Sequence, residues 1–274
     1  MKQYNKHQGP IWKINWAHPH FGNILASCSY DKSVYYIIKI IKVNKQKKVA
    51  IHKERQTQNQ PKVWETVWKR EYEGSINYLQ FSPYECGFNL ACGSSAGKVY
   101  IITLRQQDGQ LQDFQFQAHE VGINCLCWEP YKPDENLTFD LVERQINNLT
   151  KLITGSVDKS LKIWSLHIQN GQLQQNLIYE IKGIHGDWIR DIAWSPDSSN
   201  QYDIIASCSE DSIVIISKLQ WDQNNRQYVN IENRIIDFVK FDGPTWRLNW
   251  NFDGSMLSIS TAIQNNNNQL VVIQ

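Results

Sequence analysis

The chain has 274 residues, and its 28 Lys and Arg residues against 27 Asp and Glu residues give a formal net charge of only +1. This balance gives no reason to expect a surface that binds polyanions, and no apolar run approaches the length needed to cross a bilayer. The first four residues do not begin a signal peptide, and the six cysteines show neither zinc-ligand spacing nor the disulfide framework of a short secreted chain. We therefore expect an intracellular protein with structural free thiols.

The predicted elements are short strands that fall into five similar units. The first unit has strand-like segments at residues 7–16, 24–31 and 34–37, and the second is a degenerate copy over 74–102. The third repeats the pattern at 123–128, 152–158 and 161–164, and the fourth at 185–196, 205–211 and 214–216. The fifth, also degenerate, supplies three segments, at 243–250, 256–261 and 269–273. Each apolar run is short, rich in β-branched residues and bounded by Gly, Asp, Ser or Pro, which favours strands over helices.

One aromatic residue ends the first strand of every unit. These residues are Trp16, Phe81, Trp128, Trp194 and Trp250. They lie about 47 to 66 residues apart, the size of a propeller blade with extended loops. Because such a unit cannot bury its apolar face alone, it must stack on copies of itself. We predict an all-β propeller in one domain, with four complete blades, a three-stranded last blade and repeats at about 7–72, 73–117, 118–183, 184–240 and 241–274.

Three units carry a similar set of polar residues. In the third unit His119, Thr154 or Ser156, Asp158 and Trp164 are predicted to form one hydrogen-bonded chain. The corresponding residues are His185, Ser207 or Ser209 and Asp211 in the fourth unit, and His7, Ser27 or Ser29 and Asp31 in the first. A His/Ser/Asp set also suggests hydrolysis. Since a catalytic site is not normally built three times at a regular interval, we interpret the sets as structural, each fixing the geometry of its blade.

Two insertions and three tryptophans invite a functional interpretation. Residues 42–62 are rich in Lys, Gln and Asn, which suggests a polyanion or membrane contact, but a disordered insertion between strands explains them better. Residues 130–148 connect two strands of the third unit and either touch a partner or pack on their own blade. Trp12, Trp188 and Trp246 are predicted to occupy equivalent strand starts, where packing explains them better than binding.

Several motifs exceed what a generic repeat requires. They include His-Gln-Gly-Pro-Ile-Trp at 7–12, Trp-Ala-His-Pro at 16–19, Leu-Ala-Cys-Gly-Ser-Ser at 90–95 and Asp-Trp-Ile-Arg-Asp-Ile-Ala-Trp at 187–194. With these motifs the chain resembles the WD-repeat propellers, and within them the small propeller subunit of the COPII outer-coat cage, which is shared with the Y-shaped scaffold complex of the nuclear pore. The resemblance runs in order through nearly the whole chain.

This resemblance implies a non-enzymatic scaffold without cofactor or metal. Members of that family are open six-bladed propellers, and a large helical-solenoid partner, either the large COPII cage subunit or a nucleoporin, donates a further blade in trans. The implied locations are the cytoplasmic face of the endoplasmic reticulum, COPII vesicles and the nuclear envelope at the nuclear pore complex. No direct contact with nucleic acid is implied, and membrane association is indirect, through the coat.

The sequence departs from the family pattern at both ends. Family members carry a whole blade before the motif that begins here at His7, and here the last blade is expected to lack its fourth strand. The first blade of the six-bladed family is therefore expected to be absent. Partner contact is expected at the open seam between the first and last blades, which we assign to Pro10, Ile11, Trp12, Trp246, Leu270, Val271, Val272 and Ile273.

Two other classes of function remain open on the sequence alone. One is a nucleoporin propeller confined to the pore, or a WD-repeat adaptor that recruits peptides. The other is a propeller enzyme that uses the central channel, but no metal-ligand cluster, phosphate-binding loop or unrepeated nucleophile–base pair supports it.

Overall fold

The computed structural model describes residues 6–41, 62–104, 109–131, 150–196, 202–222, 225, 227–236, 243–262 and 268–273. Across these residues the chain forms nineteen strands: β1 Ile11–Trp16, β2 Ile24–Ser29, β3 Ser33–Ile41, β4 Lys62–Glu71, β5 Ile76–Phe81, β6 Asn89–Ser94, β7 Lys98–Leu104, β8 Leu111–Gln117, β9 Ile123–Trp128, β10 Lys151–Ser156, β11 Leu161–Gln169, β12 Gln172–Ile181, β13 Ile189–Trp194, β14 Asp203–Ser209, β15 Val214–Asp222, β16 Gln227–Ile236, β17 Thr245–Trp250, β18 Leu257–Ala262 and β19 Asn268–Ile273. Short 3-10 turns lie at Pro19–Phe21 and Tyr84–Cys86. No helix of the described residues is long and apolar enough to span a membrane.

The strands form five antiparallel sheets, each of which follows the chain from one strand to the next. Blades 1 to 4 have four strands each, namely β1–β4, β5–β8, β9–β12 and β13–β16, whereas blade 5 has three, β17–β19. The predicted all-β fold with four complete blades and a three-stranded last blade is confirmed. Long polar connections predicted at 42–62 and 130–148 lie almost entirely outside the described residues.

The first strand of each blade is its innermost strand, and these strands pack in series. β1 packs on β5, β5 on β9, β9 on β13, and β13 on β17. No contact of comparable extent joins β17 back to β1 in the described part of the chain. The five blades therefore form an open propeller, and we keep the name seam for the gap between blades 1 and 5.

Packing between neighbouring blades has a direction. A Cβ atom added at Gly93 in blade 2 would lie 2.7 Å from Cγ2 of Ile123 in blade 3, and one added at Gly155 in blade 3 would lie 2.6 Å from Cδ1 of Ile192 in blade 4. Leu248 of blade 5 likewise packs on small residues of blade 4. Large residues on the innermost strand of each blade therefore pack on small residues of the preceding blade. We call these small residues the platform of that preceding blade.

The apolar core runs through the blades rather than inside any one of them. One cluster of buried residues spans blades 2 to 4, a second spans blades 1 and 2, and a third spans blades 4 and 5. All six cysteines are free thiols, and burial raises the pKa of Cys28 to about 12 and that of Cys86 to about 11. Thiols with such raised pKa values are poor nucleophiles, which agrees with the predicted structural role.

Strand register corrects the predicted equivalence of three tryptophans. Ile11 pairs with Ser29 and Ile189 pairs with Ser209 at the same position of their blades. The counterpart of Trp12 in blade 4 is therefore Arg190, and Trp188 lies one residue before the strand. Equivalence holds for Trp12 and Trp246, whereas for Trp188 the prediction is wrong, because Trp188 precedes the first paired residue of its strand and Trp12 and Trp246 follow theirs.

Candidate functional site

Three of the blades contain a His-centred chain of hydrogen bonds near the start of the innermost strand. In blade 1 the Nδ1 atom of His7 lies 3.0 Å from Oδ2 of Asp31, and its Nε2 atom lies 2.9 Å from Oγ of Ser27. The corresponding distances in blade 4 are 3.1 Å from His185 to Asp211 and 2.8 Å from His185 to Ser207. Of the two serines that the sequence left open in each blade, these distances select Ser27 and Ser207.

Blade 3 differs in one member of this chain. His119 lies 2.8 Å from Asp158 through Nδ1 and 2.9 Å from Oγ1 of Thr154 through Nε2, and the indole N–H of Trp164 donates to the same Thr154 oxygen at 3.1 Å. Ser156 does not contact the imidazole in this way. Its hydroxyl donates to the carbonyl of Gly122 and accepts from the backbone N–H of Asp158, so it ties the turn to the loop instead. Of the two hydroxyl residues that the sequence left open in blade 3, these distances select Thr154 as the partner of His119.

Blade 2 has lost this arrangement. Tyr72, Cys92 and Ala96 take the positions of the histidine, the hydroxyl residue and the turn aspartate. The ring of Tyr72 packs on that of Tyr100 with centroids 4.1 Å apart, and its hydroxyl has no hydrogen-bond partner among the described residues. Aromatic packing therefore replaces a hydrogen-bonded chain, and the blade retains its four strands.

The His-centred chains of hydrogen bonds make the stability of the fold depend on pH. Burial lowers the pKa of both His119 and His185 below the ordinary value, so the folded state favours the neutral imidazole. Burial alone would raise the pKa of Asp31, but hydrogen bonds from Ser33, Gln8 and His7 outweigh it and lower the pKa to about 2. Both effects destabilise the folded state in acid, the histidines as pH falls through about 6.5, where the unfolded imidazole takes up its proton, and Asp31 as pH falls from about 4 towards 2.

We expect the free energy of unfolding to fall between pH 8 and pH 5, because His119 and His185, whose pKa values burial lowers in the folded protein, bind protons more readily in the unfolded chain. Urea denaturation at a series of pH values measures it. The double variant His119→Gln/His185→Gln should be less stable at pH 8 and should show a flatter dependence between pH 8 and pH 5. Equal stability of the unaltered protein at pH 8 and pH 5 would refute this role of the histidines.

Blade 1 forms one wall of the seam, and its innermost strand is unusually exposed. Ile11, Ile14 and Trp16 are 50%, 56% and 54% exposed. Their counterparts in blade 2 are Ile76 and Leu79, which are fully buried, and Phe81, which is 9% exposed. Each counterpart sits on the platform of a preceding blade, which blade 1 lacks among the described residues. The predicted seam residue Trp12 is 47% exposed, but its indole N–H also donates to the hydroxyl of Ser75 in blade 2.

Blade 5 forms the other wall. Ser258 and Ser260 occupy its platform, where blade 4 has Ala206 and Cys208, and both serines are partly exposed. On β19, Leu270 and Val272 are 69% and 56% exposed. Val271 and Ile273 instead pack on the cluster that contains Leu248 and Leu257, so the pleat divides the four predicted edge residues between the seam and the core.

Two remaining seam residues have other contacts. Pro10 is exposed, and its carbonyl accepts a hydrogen bond from the backbone of Tyr30. Trp246 packs against the guanidinium group of Arg190, whose Cζ atom lies 4.9 Å from the ring centroid, and Trp188 covers the same guanidinium group at 5.2 Å. Arg190 also forms an ion pair with Glu210. These contacts support the packing interpretation of the tryptophans.

The third residue of each innermost strand belongs to a group that the sequence did not reveal. These residues, which we call the axial residues, are Lys13, Tyr78, Cys125, Asp191 and Arg247. The Tyr78 hydroxyl donates to Asp191 at 3.2 Å, so blade 2 is linked directly to blade 4. Lys13 donates to the Tyr78 hydroxyl at 3.0 Å, and the Cζ atom of Arg247 lies 5.7 Å from the Tyr78 ring centroid. The axial residues thus connect blades that are not neighbours.

Asp191 is the centre of this group. It is 2% exposed, and its carboxylate also accepts from the backbone N–H groups of Ile192 and, in blade 5, Leu248, both at 3.1 Å. Burial raises the pKa of Asp191, whereas Arg247, the Leu248 N–H and Lys13 oppose that rise. One carboxylate therefore holds together residues of blades 2, 4 and 5. No group of three or more His, Cys, Asp and Glu suited to a metal ion occurs among the residues described.

Comparison with known proteins agrees with this architecture. Residues 1–36, 110–165 and 176–216 match the model of the WD domain, G-beta repeat. The Drosophila melanogaster protein named Protein SEC13 homolog is 30% identical over 261 residues, which cover 94% of this chain and 65% of that protein. Protein transport protein sec13 of Emericella nidulans is 30% identical over 93% of this chain and 74% of its own length, and that of Aspergillus oryzae is 31% identical over 93% and 78%.

The Emericella and Aspergillus relatives carry the name of a protein transport protein, and the aligned region spans about two thirds of the Drosophila protein and three quarters of the Emericella one. The repeat model falls mainly on blades 1, 3 and 4, in which the His-centred chains occur. The chain belongs to the Sec13 family of WD-repeat proteins.

Proposed function

We propose that this protein is a structural scaffold subunit of the COPII coat, which serves transport from the endoplasmic reticulum to the Golgi, and of the nuclear pore complex. In this role a helical-solenoid partner, the large COPII cage subunit or a solenoid nucleoporin, donates a blade into the seam. Two kinds of support stand behind the proposal. Curated relatives at 30% identity are named protein transport proteins, and both walls of the seam have the exposure expected of an interface.

The exposure of β1 carries the proposal. Ile14 is 56% exposed, although residues at the same position of blades 2, 3 and 4 are at most 3% exposed. At roughly 25 cal/mol per Å² of apolar area, covering such residues stabilises a complex substantially. Exposed apolar residues that cluster on one face of a soluble protein mark an interaction site. A β-sheet blade fits that face, since a blade is what covers the equivalent face everywhere else in this protein.

The unpaired edge of β19 favours a partner that adds a β-strand to this sheet. β19 pairs with β18 on one side, and no strand pairs with its other side in the described residues. An unpaired strand edge is a template for the addition of another strand. Backbone hydrogen bonds and the side chains of Leu270 and Val272 would then contribute to the same contact.

Charged substitution on β19 tests this contact. We expect Leu270→Glu/Val272→Glu to weaken partner binding at least about tenfold, because two carboxylates would lose water on binding. The two side chains are mostly exposed in the free protein, so its melting temperature should not change. Val229→Glu on the outer strand of blade 4, where the side chain is 43% exposed, is the matched control. Unchanged affinity of the double variant in a titration would exclude β19 from the interface.

The protein in its native cells provides the broader test. Affinity purification of the tagged chain should recover a large helical-solenoid protein in stable association, and its absence would refute the scaffold function. Imaging should place the tagged protein at endoplasmic-reticulum exit sites and at the nuclear envelope. A nuclear rim alone would favour a propeller confined to the pore over the proposed coat subunit.

A further inference from the structure

The axial residues that flank the seam are both cations. Lys13 is the axial residue of blade 1 and Arg247 that of blade 5, so one positive side chain lies on each wall. Both lie against the same ring: the Nζ atom of Lys13 is 4.3 Å and the Cζ atom of Arg247 is 5.7 Å from the centroid of Tyr78. In one direction around the propeller, blades 2, 3 and 4 lie between Lys13 and Arg247. In the other direction the seam lies between them.

The charge at this place is not balanced. Asp191 is the only carboxylate among the axial residues, and it already accepts hydrogen bonds from Tyr78, Ile192 and Leu248. Neither Lys13 nor Arg247 forms an ion pair with a carboxylate of the described residues. Burial lowers the pKa of Lys13; Asp191 opposes this, and the positive charge of Arg247 adds to it. Two cations therefore face one engaged carboxylate. Lys13 is half-buried and Arg247 is exposed in the free protein, and a blade in the seam would cover both and strengthen their electrostatic interactions.

A blade that filled the seam would add its own axial residue between Lys13 and Arg247, because every innermost strand of this protein places its third residue there. On this basis, and resting on the proposed function, we infer that the blade donated by the partner carries an aspartate or glutamate at this position. Its carboxylate would pair with both cations and would complete the row of axial residues. An uncharged or basic residue would leave the two cations buried without a partner.

The direction of blade packing also predicts which residues flank this acidic residue in the donated strand. Large residues precede it by two positions and follow it by one on the innermost strands, as in Ile189–Trp194, where Ile189, Asp191 and Ile192 show the spacing. Those large residues would sit on Ser258 and Ser260 of blade 5. On its other face the donated blade would offer small residues to Ile11 and Ile14. The expected pattern is apolar, any residue, acid, apolar, in a strand that begins a blade.

Carbodiimide coupling of the native complex tests this pairing directly. The reagent removes water between an amine and a carboxylate that touch, and leaves an amide bond that mass spectrometry identifies. In the complex purified through the tagged full chain, we expect the peptide that contains Lys13 to be joined to an acidic peptide of the partner with the stated pattern. Lys13→Arg keeps the charge but forms no such amide, so it should keep the affinity and abolish the coupling.

Affinity measurements provide the second test. Lys13→Met and Arg247→Met should each weaken partner binding about tenfold at low salt and flatten its dependence on NaCl concentration, since a partly buried charge pair is lost. Lys182→Met removes an exposed lysine of blade 3 and is the control.

The outcomes separate this inference from the proposed function. If no partner co-purifies, both fail. If the partner co-purifies and Ile14→Asp releases it, but Lys13 couples to no partner carboxylate and the methionine variants bind like the unaltered protein, only the acidic pairing is wrong. Coupling of Lys13 to a carboxylate of this same chain would also overturn the pairing.

Discussion

Ile14→Asp is expected to abolish partner binding and to leave the free protein folded. Ile14 is 56% exposed, so a carboxylate there stays largely hydrated in the unbound protein. A donated blade would bury it against an apolar platform, and about 3 kcal/mol or more of desolvation corresponds to a loss of at least about a hundredfold in affinity. Titration with the purified partner measures the affinity, and thermal denaturation of the free protein measures its stability.

Two matched variants define the meaning of that result. Leu79→Asp makes the same change at the equivalent position of blade 2, where the side chain is fully buried, and should prevent folding. Leu177→Asp alters a residue 47% exposed on β12, far along the chain from the seam, and should change neither stability nor binding. Binding of the Ile14→Asp protein with unaltered affinity would mean that β1 faces solvent in the complex.

Asp191→Ala is expected to destabilise the fold by about 3–5 kcal/mol, as when one partner is removed from a buried charged network. The Tyr78 hydroxyl and the N–H groups of Ile192 and Leu248 would lose their acceptor. Each buried donor left without a partner costs about 1–3 kcal/mol. Because the acceptor joins blades 2, 4 and 5, the loss should also reduce the cooperativity of unfolding, measured as the slope of the free energy against urea concentration.

Asp191→Asn and Tyr78→Phe provide the comparison. The asparagine keeps one acceptor oxygen and the shape of the side chain, and the phenylalanine removes only one of the donors. Each should cost less than the alanine, about 1–2 kcal/mol. An Asp191→Ala protein within about 1 kcal/mol of the unaltered one would show that water replaces the carboxylate at the axis.

What the sequence predicted well is what the blades share. The aromatic residues that end each innermost strand and the His/Asp pairs recur in register, so blade count, strand count and the structural interpretation of the polar sets followed from alignment alone. Within the sets, a recurring residue type was a weaker guide than strand pairing. Thr154 and Ser156 lie on the same pleated face, and only the register shows which one reaches His119.

What the sequence did not predict is what differs between blades. Lys13, Tyr78, Cys125, Asp191 and Arg247 share one structural position but no chemistry, so no repeat pattern marks them. Their contacts run between blades that lie far apart in sequence, such as the 113 residues that separate Tyr78 from Asp191. The same holds for β19, where no sequence pattern indicated which residues of the run from Leu270 to Ile273 turn outwards.

The direction of blade packing also bears on how the protein is made. Synthesis proceeds from the N-terminus, and domains begin to fold before the chain is complete. Since the large residues of each blade sit on small residues of the blade before it, every newly synthesised blade meets a platform that has already left the ribosome. Blades can therefore be added one at a time to a growing end, and among the described strands only β1 has no earlier platform on which to pack. Its apolar face stays half exposed in the folded protein, so β1 is the described strand that most needs a chaperone or an early partner.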